Sequence, residues 1–165
     1  MKVITSNLEL VNFVIIESNL SLIQPITNEF NHEVFKHYDL EIDFSKSKEE
    51  QTPDKELLFV VYVDISVNRT TNPQVGYQIS TRAAAAFKIT DLRALSNGEI
   101  NNLENISALS ITISSLRNYL STLTAFGPFG KYILPTIKVG DLISEKVKQQ
   151  NDKPQQPKAN SQQPY

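Results

Sequence analysis

Between Leu8 and Leu22 the apolar residues fall on both parities, with Leu8, Leu10, Val14 and Ile16 on one and Val11, Phe13 and Ile15 on the other. That pattern predicts a strand with burial on both faces near its middle. The run from Glu33 to Phe44 alternates more cleanly. Val34, Tyr38, Leu40, Ile42 and Phe44 share one side and His37, Asp39, Glu41 and Asp43 the other, as expected of a strand with one wet face. Residues 45–55, SKSKEEQTPDK, hold one proline and no apolar residue, which predicts a mobile connection.

Period two returns at Leu57. Leu57, Phe59, Val61, Val63, Ile65 and Val67 line one face through Val67; after the turn NRTTNPQ, Val75, Tyr77, Ile79, Ala83, Ala85, Phe87 and Ile89 line another. Four successive strands with short or polar links predict a four-stranded antiparallel meander. Past the polar stretch RALSNGEINNLEN the period lengthens. Ile106, Leu109, Ile113, Leu116, Leu120 and Leu123 recur at steps of three and four, predicting a long helix that Asn105 or Ser107 would cap. Ile111, Tyr119 and Phe126 lie off this seam, which suggests a second contact for the helix.

The helix runs into TAFGPFGKYILP, residues 124–135, where two glycines and a proline break regular structure and leave Phe126, Phe129 and Tyr132 to be displayed. Asp141 can cap a short final helix from Leu142 to about Lys148. The last residues, 149–165, are rich in Gln, Pro and Lys and are expected to be disordered. The organisation is thus one α+β domain over residues 1–148 and a tail.

Composition narrows the chemistry. A formal charge of -2 with scattered lysines carries no footprint for nucleic acid. The chain has no cysteine, which removes thiolate nucleophiles and Cys-based zinc sites. Asn7, Glu9 and Asn12 interrupt the N-terminal apolar stretch, so it reads as neither a signal peptide nor a membrane span, and a cytoplasmic location is expected. His32 and His37 are five apart in a segment read as extended, so they would point to opposite faces and make a poor metal pair. Asp39, Glu41 and Asp43 form a carboxylate ladder at about 7 Å spacing, suited to solvent or to a basic docking partner. No phosphate loop or nucleophile elbow occurs, so neither an enzymatic activity nor a cofactor is expected.

The stretch from Leu116 to Ile143 resembles the SecB-type export chaperones and their SecB-like relatives. The matching residues are Arg117, Thr124-Ala125, Gly127 and Phe129, Leu134-Pro135, and Asp141-Leu142, with Phe87 and Ile89 at the end of the fourth strand. The resemblance implies a homotetramer, a dimer of dimers, that holds unfolded preproteins export-competent without ATP. It also implies apolar client grooves, walled here by Tyr38, Leu40, Ile42 and Phe44 on one side and Phe126, Phe129, Tyr132 and Leu134 on the other. Where the export chaperones dock the SecA translocation motor through acidic residues, the corresponding positions are Asn19, Ile23 and Ser80; the Asp39, Glu41, Asp43 ladder could substitute. Two alternatives stand beside this reading. One is a SecB-like chaperone dedicated to a single partner such as an antitoxin; the other is an interaction or structural protein in which the loop aromatics are core.

Overall fold

Alternation of apolar residues places the core on one face of an antiparallel sheet. The computed structural model describes residues 5–25 and 30–151. Its strands are β1 (Leu8–Ile23), β2 (Leu40–Lys46), β3 (Glu50–Gln51), β4 (Leu57–Val67) and β5 (Gly76–Ile89). They are followed by α1 (Asn97–Asn102), a π-helical segment (Leu103–Ser107), α2 (Ala108–Thr124) and α3 (Val139–Asn151). The expected α+β arrangement holds: an antiparallel sheet, then a long helix, then a shorter one.

The strand order differs from a meander. It runs β1-β5-β4-β2, with the two-residue β3 also pairing with β4. β2, β4 and β5 lie side by side in chain order, but β1 crosses over to pair with β5, as in a Greek key. Local pattern predicts strands and not their neighbours, so this part of the expectation fails for a physical reason. The presumed connection 45–55 is also partly ordered. Ser47 N–H donates to Val60 O at 2.9 Å, and Glu50 and Gln51 pair with Leu58 and Leu57.

The mixed parity of β1 has a different origin from burial on both faces. Register slips by one residue between Leu10 and Asn12 and again between Ile15 and Glu17. Each bulge flips the side chains across the sheet. Leu8 and Leu10, then Phe13 and Ile15, then Leu20 and Leu22 therefore all stand in register with the buried face of β5. β1 nevertheless lies at an edge and is poorly covered within one chain, with Val11 55% and Ile16 52% exposed.

α2 lies across β4, β5 and β1. Leu109, Ile113, Leu116 and Leu120 on α2 are buried, as are Val61, Val63, Ile65, Ile79 and Phe87 on the sheet, with the small Ala83 and Ala85 buried among them on β5. Ile106 is exposed, unlike the rest of the predicted seam, because it falls in the π-helical segment, whose wider turn rotates the apolar stripe. Asn105 and Ser107 do not cap. The helical path begins earlier, nine residues before Asn105, at Ser96, whose Oγ accepts Glu99 N–H at 3.3 Å while Glu99 Oε2 accepts Ser96 N–H at 2.8 Å. This capping box was legible as Ser-Asn-Gly-Glu, in a stretch read as polar linker.

The strand expected over Glu33 to Phe44 starts only at Leu40. Residues His32–His37 form a 3₁₀ turn instead, because the Asn31 side chain accepts Glu33 N–H at 2.9 Å and offers the backbone a tighter alternative to extension. The compact unit described so far spans Met1–Pro135; a second spans Thr136–Tyr165. In the second, α3 begins at Val139, so Asp141 sits within its first turn and does not cap it. The helix continues through Asn151, into the first residues of the expected tail; the remainder, 152–165, lies outside the described residues.

Candidate functional site

α2 ends at Thr124, and the loop behind it closes through two successive turns, Gly127 N–H to Thr124 O at 3.0 Å and Gly130 N–H to Gly127 O at 3.1 Å. Gly127 is required by proximity: a Cβ there would collide with the Tyr77 hydroxyl. That hydroxyl donates to Gly130 O at 2.9 Å and accepts Phe129 N–H at 3.3 Å. Tyr132 N–H donates to Thr124 Oγ1 at 2.8 Å, and Arg117 on α2 holds the end of the loop by donating to Leu134 O and Pro135 O, each at 2.9 Å. The loop is thus folded down onto β5 and α2.

Its aromatics follow. Phe129, Tyr132 and Leu134 are buried, and Phe126 alone is displayed, at 99% exposure. The expectation that all three loop aromatics face outward is corrected for Phe129 and Tyr132 within the single chain. The reason is that the Tyr77 and Thr124 hydroxyls supply partners for the loop backbone, so it can be buried without orphaned polar groups.

Tyr38, which caps the 3₁₀ turn two residues before β2, joins the same cluster. Its hydroxyl donates to Val75 O at 2.9 Å and accepts Tyr77 N–H at 2.8 Å, and its ring lies 5.7 Å from Tyr132. Tyr77 packs edge-on to Phe129 at 5.4 Å. Phe30 and Phe35, which the sequence reading did not assign, complete the cluster at 4.7 Å from Phe129 and 5.6 Å from Tyr132. The available signal was the spacing of aromatics at 30, 35 and 38, hidden by reading the segment as extended.

The remaining wall residues, Leu40, Ile42 and Phe44, run away from this cluster along β2. They register with Val67, Ile65 and Val63, lie on the helix side of the sheet and are half-buried. Asp39, Glu41 and Asp43 are exposed; Asp39 precedes the strand, while Glu41 and Asp43 pair with Ser66 and Asp64 on the opposite face. Asp64 is itself held by Arg82 at 2.6 Å.

Burial raises the pKa of Tyr132, with the nearby Tyr38 adding to it, from 10.0 to about 12. Burial likewise pushes Tyr38 and Tyr77 up. A phenol whose folded pKa is raised stabilises the fold fully below its unfolded pKa and loses that contribution as pH climbs to the folded value. The thermal midpoint should therefore be insensitive to these tyrosines from neutral pH to 10 and fall between 10 and about 12, and Tyr132→Phe should flatten that fall. Scanning calorimetry in alkaline buffers checks this; an unchanged slope in the variant would contradict it.

No family model matches the chain, and no curated protein matches it in sequence. Among solved structures the chain is similar to the Mycobacterium tuberculosis Rv1957 SecB-like chaperone, in complex with a ChAD peptide from the Rv1956 HigA1 antitoxin. The TM-score is 0.51 at 13% identity, over 79% of this chain and 90% of that one. The fold is SecB-like. A protein of unknown function from Streptococcus agalactiae aligns with a TM-score of 0.45 at 10% identity, over 79% of this chain and 97% of that chain.

The candidate residues fall into three groups. Tyr38, Phe129, Tyr132 and Leu134 form a closed aromatic end, Leu40, Ile42 and Phe44 a half-open apolar wall, and Phe126 an exposed ring behind the helix. Among the described residues no helix is long and apolar enough to cross a membrane.

Proposed function

We propose that the chain is an ATP-independent holdase that binds unfolded polypeptides along the β2 wall and the aromatic cluster, keeping them soluble and export-competent. One observation carries the reading: Leu40, Ile42 and Phe44 stay half-exposed on an edge strand that ends at a cluster of rings. Three or four side chains of this kind are worth on the order of 5–12 kcal/mol of gross burial to a client segment. Much of that is offset by ordering an extended chain, so each segment binds weakly and several sites on an oligomer raise the avidity.

A homotetramer, a dimer of dimers, fits the poorly covered β1 edge, whose Val11 and Ile16 a second copy would bury. On the opposite face, Glu41 and Asp43 offer a basic partner such as the SecA motor a place to dock. A cytoplasmic holdase is the setting in which such a partner would be met. A dedicated role is the second reading, favoured by the antitoxin peptide bound to the mycobacterial chaperone. Capture of one protein from a lysate, rather than many unfolded ones, would distinguish it.

The test is suppression of aggregation of a chemically unfolded client without nucleotide. Wild type should suppress it at near-stoichiometric oligomer. Ile42→Ser with Phe44→Ser should lose roughly tenfold, since two apolar contacts are removed, with the melting curve and the oligomer, by light scattering, retained. Wild type that never suppresses aggregation would sink the proposal.

A further inference from the structure

Phe35 occupies the middle of the aromatic cluster. Its ring is stacked 5.9 Å from Tyr77 at an interplanar angle of 28°, stands edge-on to Tyr132 at 5.6 Å and lies 5.3 Å from Tyr38. The rings around it and the segment that carries it are held in different ways.

Three of the rings that pack on Phe35 belong to residues fastened by polar bonds, while the other two, Phe30 at 5.5 Å and His32 at 5.8 Å, lie just before the turn and within it. Tyr38 is tied through its hydroxyl to Val75 and Tyr77, Tyr77 through its hydroxyl to Gly130 and Phe129, and Tyr132 through its backbone to Thr124. The 3₁₀ turn carrying Phe35 has no buried residue. Its hydrogen bonds and its ion pair among the described residues all stay local: Glu33 N–H to Asn31, Val34 N–H to Asn31 O, Lys36 to Glu33, and Tyr38 N–H to Phe35 O. What joins this turn to the rest of the cluster is ring packing.

A fixed cage around a ring held only by its faces is a preorganised seat for a ring. Releasing the turn breaks no hydrogen bond to another element, and an incoming aromatic side chain recovers the contacts that Phe35 gives up. We propose that the seat of Phe35 is a binding site for one aromatic side chain of an extended polypeptide, and that Phe35 fills it as an internal stand-in until such a ring displaces it. The inference rests on the holdase reading and adds a rule to it: clients with an aromatic residue compete with the chain itself, and the closed population lowers their apparent affinity.

Removal of an apolar side chain should then strengthen binding, the opposite of an ordinary wall residue. The probe is a fluorescently labelled extended peptide with one Phe among aliphatic residues, beside the same peptide with Ser in that position. Phe35→Ala should bind the Phe peptide about fivefold or more tightly than wild type does, with little change for the Ser peptide. Equal or weaker binding of the Phe peptide by a folded variant overturns the proposal.

The chain has no tryptophan, so Phe35→Trp adds a single emitter at the seat. It remains informative if the alanine variant does not fold. Its emission should be blue-shifted alone and move to the red as the Phe peptide binds; binding without a shift rejects displacement. If wild type suppresses aggregation while both signatures are missing, the stand-in role fails and the holdase reading survives. If wild type suppresses nothing and binds neither peptide, both fall.

Discussion

Alanine at Gly76 should lower the stability of the chain by about 3–5 kcal/mol, the sum of backbone strain and an unsatisfied buried polar group. Gly76 has φ +116°, where a side chain is strained whatever the space around it, and a Cβ there would run into the Tyr38 hydroxyl. That hydroxyl bridges Val75 O and Tyr77 N–H, so pushing it aside also unties the start of β2 from the start of β5. For a chain of this size the loss corresponds to a fall in melting temperature on the order of 10 °C. Gly98 is the control. It lies in α1 with nothing within 4 Å, so Gly98→Ala should stabilise by about 0.5–1 kcal/mol through helix propensity. Adding Tyr38→Phe to Gly76→Ala should relieve the collision and leave the backbone strain. Circular dichroism melts of the four proteins decide it, and a Gly76→Ala melt matching wild type would show that the Tyr38 bridge is not under this constraint.

The second large effect separates the two ends of the loop. Leu134 is 1% exposed and its carbonyl is held by Arg117, so Leu134→Ala should cost about 2–4 kcal/mol through lost burial and the cavity left behind. Phe126→Ala should stay within about 0.5 kcal/mol, because its ring has no burial to lose. Denaturant unfolding measures both. Equal costs would mean that the loop packs differently from the arrangement described. The pair also bears on function, since Phe126 can be changed without disturbing the core: if it meets clients or a second copy, Phe126→Ala should weaken aggregation suppression while the melt is unchanged.

The contrast between these two residues shows where sequence reasoning loses its grip. A loop with glycines, a proline and aromatics was legible as special, and so was its place behind a long helix. Which of its apolar side chains face inward was not, because that depends on the hydroxyls of Tyr77 and Thr124, which are distant in sequence and become hydrogen-bond partners only once β5 and α2 are packed. The same holds for Phe35. In an extended segment its ring would have alternated with Val34 and Lys36; the Asn31 bond turns the chain and sends it into the cluster instead.

Taken alone, the order of residues determined the strand from Leu57 to Val67 and the helix from Leu109 to Leu120, since period two and the three-and-four spacing are local geometric facts about which side chains share a face. It also carried the capping box at Ser96 and, through the shift of parity along β1, the two bulges. Tertiary structure decided the rest. Pairing of β1 with β5 rather than β2 is a matter of which buried faces can be joined into one core, a non-local choice on which alternation is silent. Closure of the aromatic cluster was decided in the same way, because whether a ring is wall, core or stand-in depends on the polar bonds that hold its neighbours.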